Sequence, residues 1–170
     1  MTRVGLVLGA GGLTGQAFHG GVLRALAAET GWDPRSAAHI VGTSAGSSVG
    51  AYLRAGLSAA DYAAMKSGLP LSAEGEALSS RHGVAGDWWT KEGGWSWPQL
   101  PDRRLLSRFV REPHRVRPEA VLAVMVPAGR IDTETWTGAM RDLFGPTWSP
   151  DPFWICAVRV DDARRVVFGR

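Results

Sequence analysis

Hydrophobic positions open the chain as a short unbroken run, Val4-Gly5-Leu6-Val7-Leu8, closed by Gly9. A β-prone run of this length bounded by glycine predicts a buried strand. Phe18, Val22, Leu23 and Leu26 then recur at helical spacing, so residues 16–30 read as a helix that Gly31 stops. Trp32-Asp33-Pro34-Arg35 reads as a turn, and Ile40-Val41 as a second strand. A second helix is expected from Ser44 to about Ala55, stopped by Gly56. Ser58-Ala59-Ala60-Asp61 resembles a helix start, with Asp where a capping box carries Glu or Gln.

Periodicity fades from Ser67 to Pro101, where glycine, serine and proline interrupt the pattern. Four of the eight tryptophans fall here, at Trp88, Trp89, Trp95 and Trp97. Residues 67–101 are therefore expected to form an irregular insertion or flap. Its tryptophans either pin the segment to the core or touch an acyl chain or interface. Further on, Asp102 starts a helix with Leu105, Leu106 and Phe109, and Pro118-Glu119 starts another. Asp132-Thr133-Glu134 begins a third, carrying Trp136, Met140, Leu143 and Phe144. Phe153–Val160 and Arg165–Phe168 read as a hairpin turning at Asp161-Asp162-Ala163-Arg164. The order β-α-β-α, then helices, then a hairpin predicts an α/β three-layer fold with a mainly parallel central sheet. A single domain over residues 1–170 is expected from the length.

Composition adds limits. With 45% apolar and 21% charged residues, the chain has the make-up of a globular protein. A net charge of +3, scattered along the chain, makes no case for nucleic acid. The densest basic stretches are Arg103-Arg104, Arg108 to Arg117 and Arg164-Arg165. They read as a solvated face, with contact to anionic lipid headgroups as the weaker alternative. Cys156 is the single cysteine, so no intrachain disulfide forms; a buried thiol and a cytoplasmic setting are expected. No run reaches transmembrane length. One cysteine and histidines without ligand spacing give no metal site, and no cofactor is expected.

The chemistry concentrates in two loops. Gly42-Thr43-Ser44-Ala45-Gly46 stands between the second strand and the second helix. A serine between two glycines at such a turn is a nucleophile elbow. Glycine at Gly42 and Gly46 leaves room for the chain to pass close on both sides of Ser44. Upstream, Gly9-Ala10-Gly11-Gly12-Leu13-Thr14-Gly15 follows the first strand directly. Glycine-rich backbone can aim N–H groups at a tetrahedral oxyanion without side-chain hindrance. Two consecutive parallel strands would bring both loops to one edge of the sheet.

Together these loops resemble the patatin-like phospholipase family, most clearly over the N-terminal third. The resemblance implies a lipid acyl hydrolase with a Ser-Asp dyad. Ser44 would be the nucleophile, flanked in the elbow by Gly42, Thr43, Ala45 and Gly46. Backbone N–H groups of Gly11, Gly12 and Leu13 would form the oxyanion hole. A lipid or acyl ester substrate follows, with peripheral membrane contact. This chain has Ala10 and Thr14 where the family commonly has glycine and a basic residue, and a backbone oxyanion hole needs neither. The family's aspartate lies in a downstream Asp-Gly-Gly or Asp-Gly-Ala motif, and no Asp-Gly dipeptide occurs here. The sheet is therefore expected to be truncated on its C-terminal side. Asp132, Asp151, Asp161 and Asp162 are the candidate substitutes for the acid; Asp132 has a stronger local role as a helix cap, and Asp161 and Asp162 as turn residues.

Three other readings stay open. A Ser-His-acid triad needs one of His19, His39, His82 or His114, and only the last two follow Ser44 as the α/β-hydrolase order requires. His19, one turn past the glycine loop, reads as a packed or capping helix residue, with lining of the pocket as the weaker alternative. A Rossmann-like dinucleotide site fits Gly9-Ala10-Gly11, but Thr14 replaces the third glycine and the second strand ends without an acid. The third is a non-catalytic acyl- or partner-binding remnant that keeps the elbow without the acid.

Overall fold

The computed structural model describes residues 3–81, 103–115, 137–138, 141–142, 147–159, 162 and 164–169. The chain divides into two compact units. The first is Met1–Ala85 with Thr137–Cys156 and Val167–Arg170; the second is Gly86–Trp136 with Ala157–Val166. The expected Trp88–Trp97 segment and the helix starts at Pro118 and Asp132 lie outside the described residues.

A four-stranded sheet has the order β1 (Gly5–Leu8), β2 (His39–Gly42), β3 (Phe153–Val158), β4 (Arg165–Phe168). β1 and β2 run parallel with Gly5 opposite His39 and Leu8 opposite Gly42. β2 and β3 run parallel with Ile40 opposite Phe153. This register puts Leu6, Leu8, Ile40, Phe153 and Ile155 against the core. Alternation along a strand sends Val7 to the other face, where it is 85% exposed.

The helices of the first unit are α1 (Gly12–Thr30), α2 (Ala45–Arg54), α3 (Ala59–Ser67) and α4 (Ala73–Arg81). α1 contributes Leu23 to the core, α2 contributes Val49 and Leu53, and α3 contributes Tyr62. Gly31 stops α1 as expected, with φ 69° and its N–H donated to Ala27. Arg54, at the end of α2, donates to the carbonyls of Arg35 at 3.0 Å, Ala37 at 2.8 Å and Pro152 at 2.9 Å. One guanidinium thus ties the approach to β2 and the approach to β3 to the same helix end. Burial lowers the pKa of Arg54 more than the field of Asp151 raises it.

Two departures from the sequence reading have a clear physical origin. α1 starts at Gly12 rather than residue 16, because Gly15 N–H already donates to the Gly11 carbonyl at 2.8 Å. The glycines disguise this first turn, since glycine is a poor helix former that tertiary packing overrides. The second is α4, a helix inside the segment read as irregular from Ser67. Its start is built by Ser72, whose hydroxyl accepts from Gly75 N–H at 3.1 Å. Only Leu78 of α4 packs on the core, so the helix shows almost no apolar period.

Asp61 holds that arrangement. Its carboxylate accepts from the Ser58 hydroxyl at 2.7 Å, Ser72 N–H at 2.7 Å and the Ser72 hydroxyl at 2.9 Å. Burial works to raise its pKa, but these donations, with Arg35 nearby, outweigh it and hold the carboxyl below its usual value. A depressed carboxylate stabilises the fold fully above its unfolded value, about 3.9, and loses that contribution as pH falls through the lower folded value. Asp61→Asn is therefore expected to cost about 2–3 kcal/mol at neutral pH. The cost should shrink as pH falls through the folded-state value, well into the acid range. Urea titrations of both proteins across the acid range check this; a cost that stays constant with pH would contradict it.

In the second unit, α5 (Arg103–Arg111) buries Leu105 and leads to a 3-10 turn at Pro113–Arg115. The helix expected from Asp102 is thus present. Arg159 N–H donates to the Arg164 carbonyl at 2.8 Å and closes the turn between β3 and β4.

Candidate active site

β1 and β2 are parallel neighbours, so the loops that leave them emerge at the same edge of the sheet. α1 begins at Gly12 immediately after the first loop, and α2 begins at Ala45 immediately after Ser44. Two helix N-termini therefore start side by side at this edge. Each brings the positive end of a macrodipole.

Ser44 has φ 52° and ψ −119°, and it is the only non-glycine with positive φ among the described residues. Such a backbone costs on the order of 1–3 kcal/mol and persists only where its surroundings fix it. They do so here. Gly46 N–H donates to the Gly9 carbonyl at 3.0 Å and to the Thr43 carbonyl at 3.0 Å. The Ser44 carbonyl accepts from Ser47 N–H at 2.9 Å and from the Ser47 hydroxyl at 2.6 Å. The bond from Gly46 to Gly9 pins the elbow directly to the glycine loop.

Close approach explains the glycines of the elbow. A Cβ on Gly46 would stand 2.1 Å from the Leu8 carbonyl oxygen. A Cβ on Gly42 would stand 2.6 Å from both the nitrogen and the Cα of Ser47. Ala45 is buried, whereas Thr43 and Ser44 are exposed. The serine hydroxyl therefore sits in the open at the start of a helix.

Gly11, Gly12 and Leu13 are exposed beside it, at the first turn of α1. Gly12 takes φ 58°, and Gly11, as the N-cap, has no side chain to occupy the helix's first N–H groups. Those donors are available to an incoming oxyanion. The sequence did not signal the contact that braces this loop: His19 Nε2 lies 3.0 Å from the Gly9 carbonyl oxygen, to which its N–H donates. His19 thus serves the loop's backbone from inside α1.

No carboxylate or imidazole of the described residues hydrogen-bonds the Ser44 hydroxyl. Asp151 lies just before β3, whose first residue pairs with Ile40 near the start of β2. Ser44 follows the other end of β2, so Asp151 sits at the opposite sheet edge, roughly 10 Å or more away by strand rise. Asp162 is bound within its own turn. Arg159 Nε donates to it at 2.9 Å, and Arg164 N–H at 3.1 Å. The Arg159 bond, which outweighs desolvation, and the charges of Arg159 and Arg164 hold its carboxyl well below the usual range. That makes it a poor base. Asp132, Asp161 and His82 lie outside the described residues. His39 is at the start of β2, its ring 5.6 Å from Trp154, and His114 is in the 3-10 turn of the second unit. Cys156, expected to be buried, is half-exposed on β3.

A family model described as Patatin-like phospholipase matches residues 6–163. No curated protein and no solved structure matches the chain significantly.

Proposed function

The chain belongs to the patatin-like phospholipase family, whose members are lipid acyl hydrolases, and from that premise we propose that Ser44 is its nucleophile toward lipid esters. The observation that carries this reading is the positive-φ Ser44 at the end of β2, tied through Gly46 to the glycine loop. Ser44 Oγ attacks the ester carbonyl carbon, and its proton passes to an aspartate acting as base. The carbonyl oxygen becomes an oxyanion that accepts from the N–H groups of Gly11, Gly12 and Leu13. The carbonyl then reforms, the alcohol leaves with the proton, and an acyl-serine remains. Water attacks that ester in the second half-reaction and releases the fatty acid.

The dinucleotide reading loses its support with the family match, and Gly42 rather than an acid ends β2. Exposed apolar residues suit a lipid substrate. Leu13 flanks the glycine loop, and Phe18, Val22 and Leu26, at i, i+4 and i+8, form an exposed stripe along α1. This stripe supports peripheral contact with a lipid surface.

A second reading has its own observation. The absence of an Asp-Gly dipeptide, and of any described carboxylate or imidazole bonded to Ser44, favours an acyl-binding protein without turnover. Hydrolysis of p-nitrophenyl acyl esters and of phosphatidylcholine vesicles separates the two. Ser44-dependent release of p-nitrophenol and fatty acid is the expected result. Saturable fatty-acid binding with no ester cleavage would favour the second reading.

A further inference from the structure

The second unit holds a basic cavity that the acyl chemistry does not use. It has a volume of about 310 Å³, and α5 forms one wall with Arg104, Ser107, Arg108 and Arg111. These positions follow i, i+3, i+4, i+7, so they make one stripe along the helix. Asp162 and Arg164, from the turn between β3 and β4, form the facing wall. Glu112 completes the lining.

Asp162 is already engaged by Arg159 Nε at 2.9 Å and by Arg164 Nε at 3.4 Å. Glu112 lies 3.7 Å from Arg108 Nε, which is buried and makes no hydrogen bond. Arg108 also donates through Nη1 to the Asp162 carbonyl, so its guanidinium is held in place at the cavity wall. Four guanidiniums and a hydroxyl thus face a space that two carboxylates share.

The helix bears a cost for this arrangement. Arg104 and Arg108 are like charges at i, i+4, and Arg108 and Arg111 at i, i+3, which destabilises an isolated helix. The first turn of α5 contains no acid and carries Arg103 and Arg104 instead, the wrong sign for the helix dipole. An anion in the cavity would offset the repulsion among Arg104, Arg108 and Arg111. Planar guanidiniums match tetrahedral oxyanions by paired N–H donation, and the Ser107 hydroxyl adds a further donor.

We propose that this cavity between α5 and the β3–β4 turn binds a phosphate group. The ligand is a phosphate monoester or diester, supplied by a lipid headgroup or by a soluble phosphate. Its assignment is independent of the role of Ser44.

The full chain is titrated with inorganic phosphate and glycerol phosphate by calorimetry, against chloride at matched ionic strength. Arg111→Gln and Arg104→Gln test the cavity, and Arg103→Gln on the same helix removes an equal charge outside it. Saturable phosphate binding is expected, weakened about fivefold or more by each cavity variant and unchanged by Arg103→Gln. Flotation with phosphatidylcholine vesicles, with and without phosphatidic acid, identifies the source. Selective flotation with phosphatidic acid, lost in Arg111→Gln, assigns a headgroup; soluble binding without flotation assigns a free phosphate. Absence of binding in both arms, or equal weakening in all three variants, would overturn the proposal.

Discussion

Ser44→Ala is expected to lower kcat for ester hydrolysis by roughly 10⁴-fold or more while leaving the melting temperature unchanged. The hydroxyl is the only atom removed. Alanine keeps a Cβ at the same positive φ, so the strain of the elbow and its bonds to Ser47 and Gly9 persist. Without the hydroxyl, no acyl-enzyme forms, and only oxyanion stabilisation of direct water attack remains. Ser44→Gly sharpens the point. It removes both the hydroxyl and the left-handed strain, so it should be equally inactive and at least as stable as Ser44→Ala. Steady-state kinetics beside thermal melts check the pair. A Ser44→Ala protein that keeps a tenth of its activity would place the nucleophile elsewhere.

Gly46→Ala is expected to destabilise the chain by about 4 kcal/mol or more and to abolish activity with it. The new methyl would fall 2.1 Å from the Leu8 carbonyl oxygen and 2.4 Å from its carbon. Both atoms belong to β1, which is held to β2 along its whole length. α2 would have to lift from the sheet and break the bond from Gly46 N–H to Gly9. The elbow and the loop would separate. Gly21→Ala is the control: nothing lies within 4 Å of its added methyl, which sits in the interior of α1. There alanine should stabilise by up to about 1 kcal/mol, the difference in helix propensity. Opposite signs for two glycine-to-alanine changes would be read directly from urea midpoints. A Gly46→Ala protein as stable as the parent would mean that α2 does not pack so closely on β1.

Much of this architecture is legible in the chain because its signals are local. An apolar run closed by glycine gives β1, and Ile40-Val41 gives β2. The Ser44 turn is marked by glycines whose purpose is steric, as the contacts of Gly42 and Gly46 bear out. Long-range features leave weaker marks. α4 is hidden because its start depends on Asp61, eleven positions before the Ser72 it grips, and because only Leu78 faces the core. The contact from His19 to Gly9 joins a helix to the loop before it, and no periodic pattern encodes that. The basic stripe of α5 reads as a solvated face until the β3–β4 turn closes over it. The acid is illegible for a different reason. Its family signature is a dipeptide that this chain does not contain; Asp61 and Asp162 are committed to other bonds, and Asp151 lies by the far end of β2.

The most direct measurement of the central claim is covalent. The protein is treated with a fluorophosphonate probe, digested and mapped by mass spectrometry. The account predicts one phosphonylated peptide, modified at Ser44, and protection by a competing long-chain ester. An unmodified Ser44 peptide, or an adduct on another serine, would contradict it.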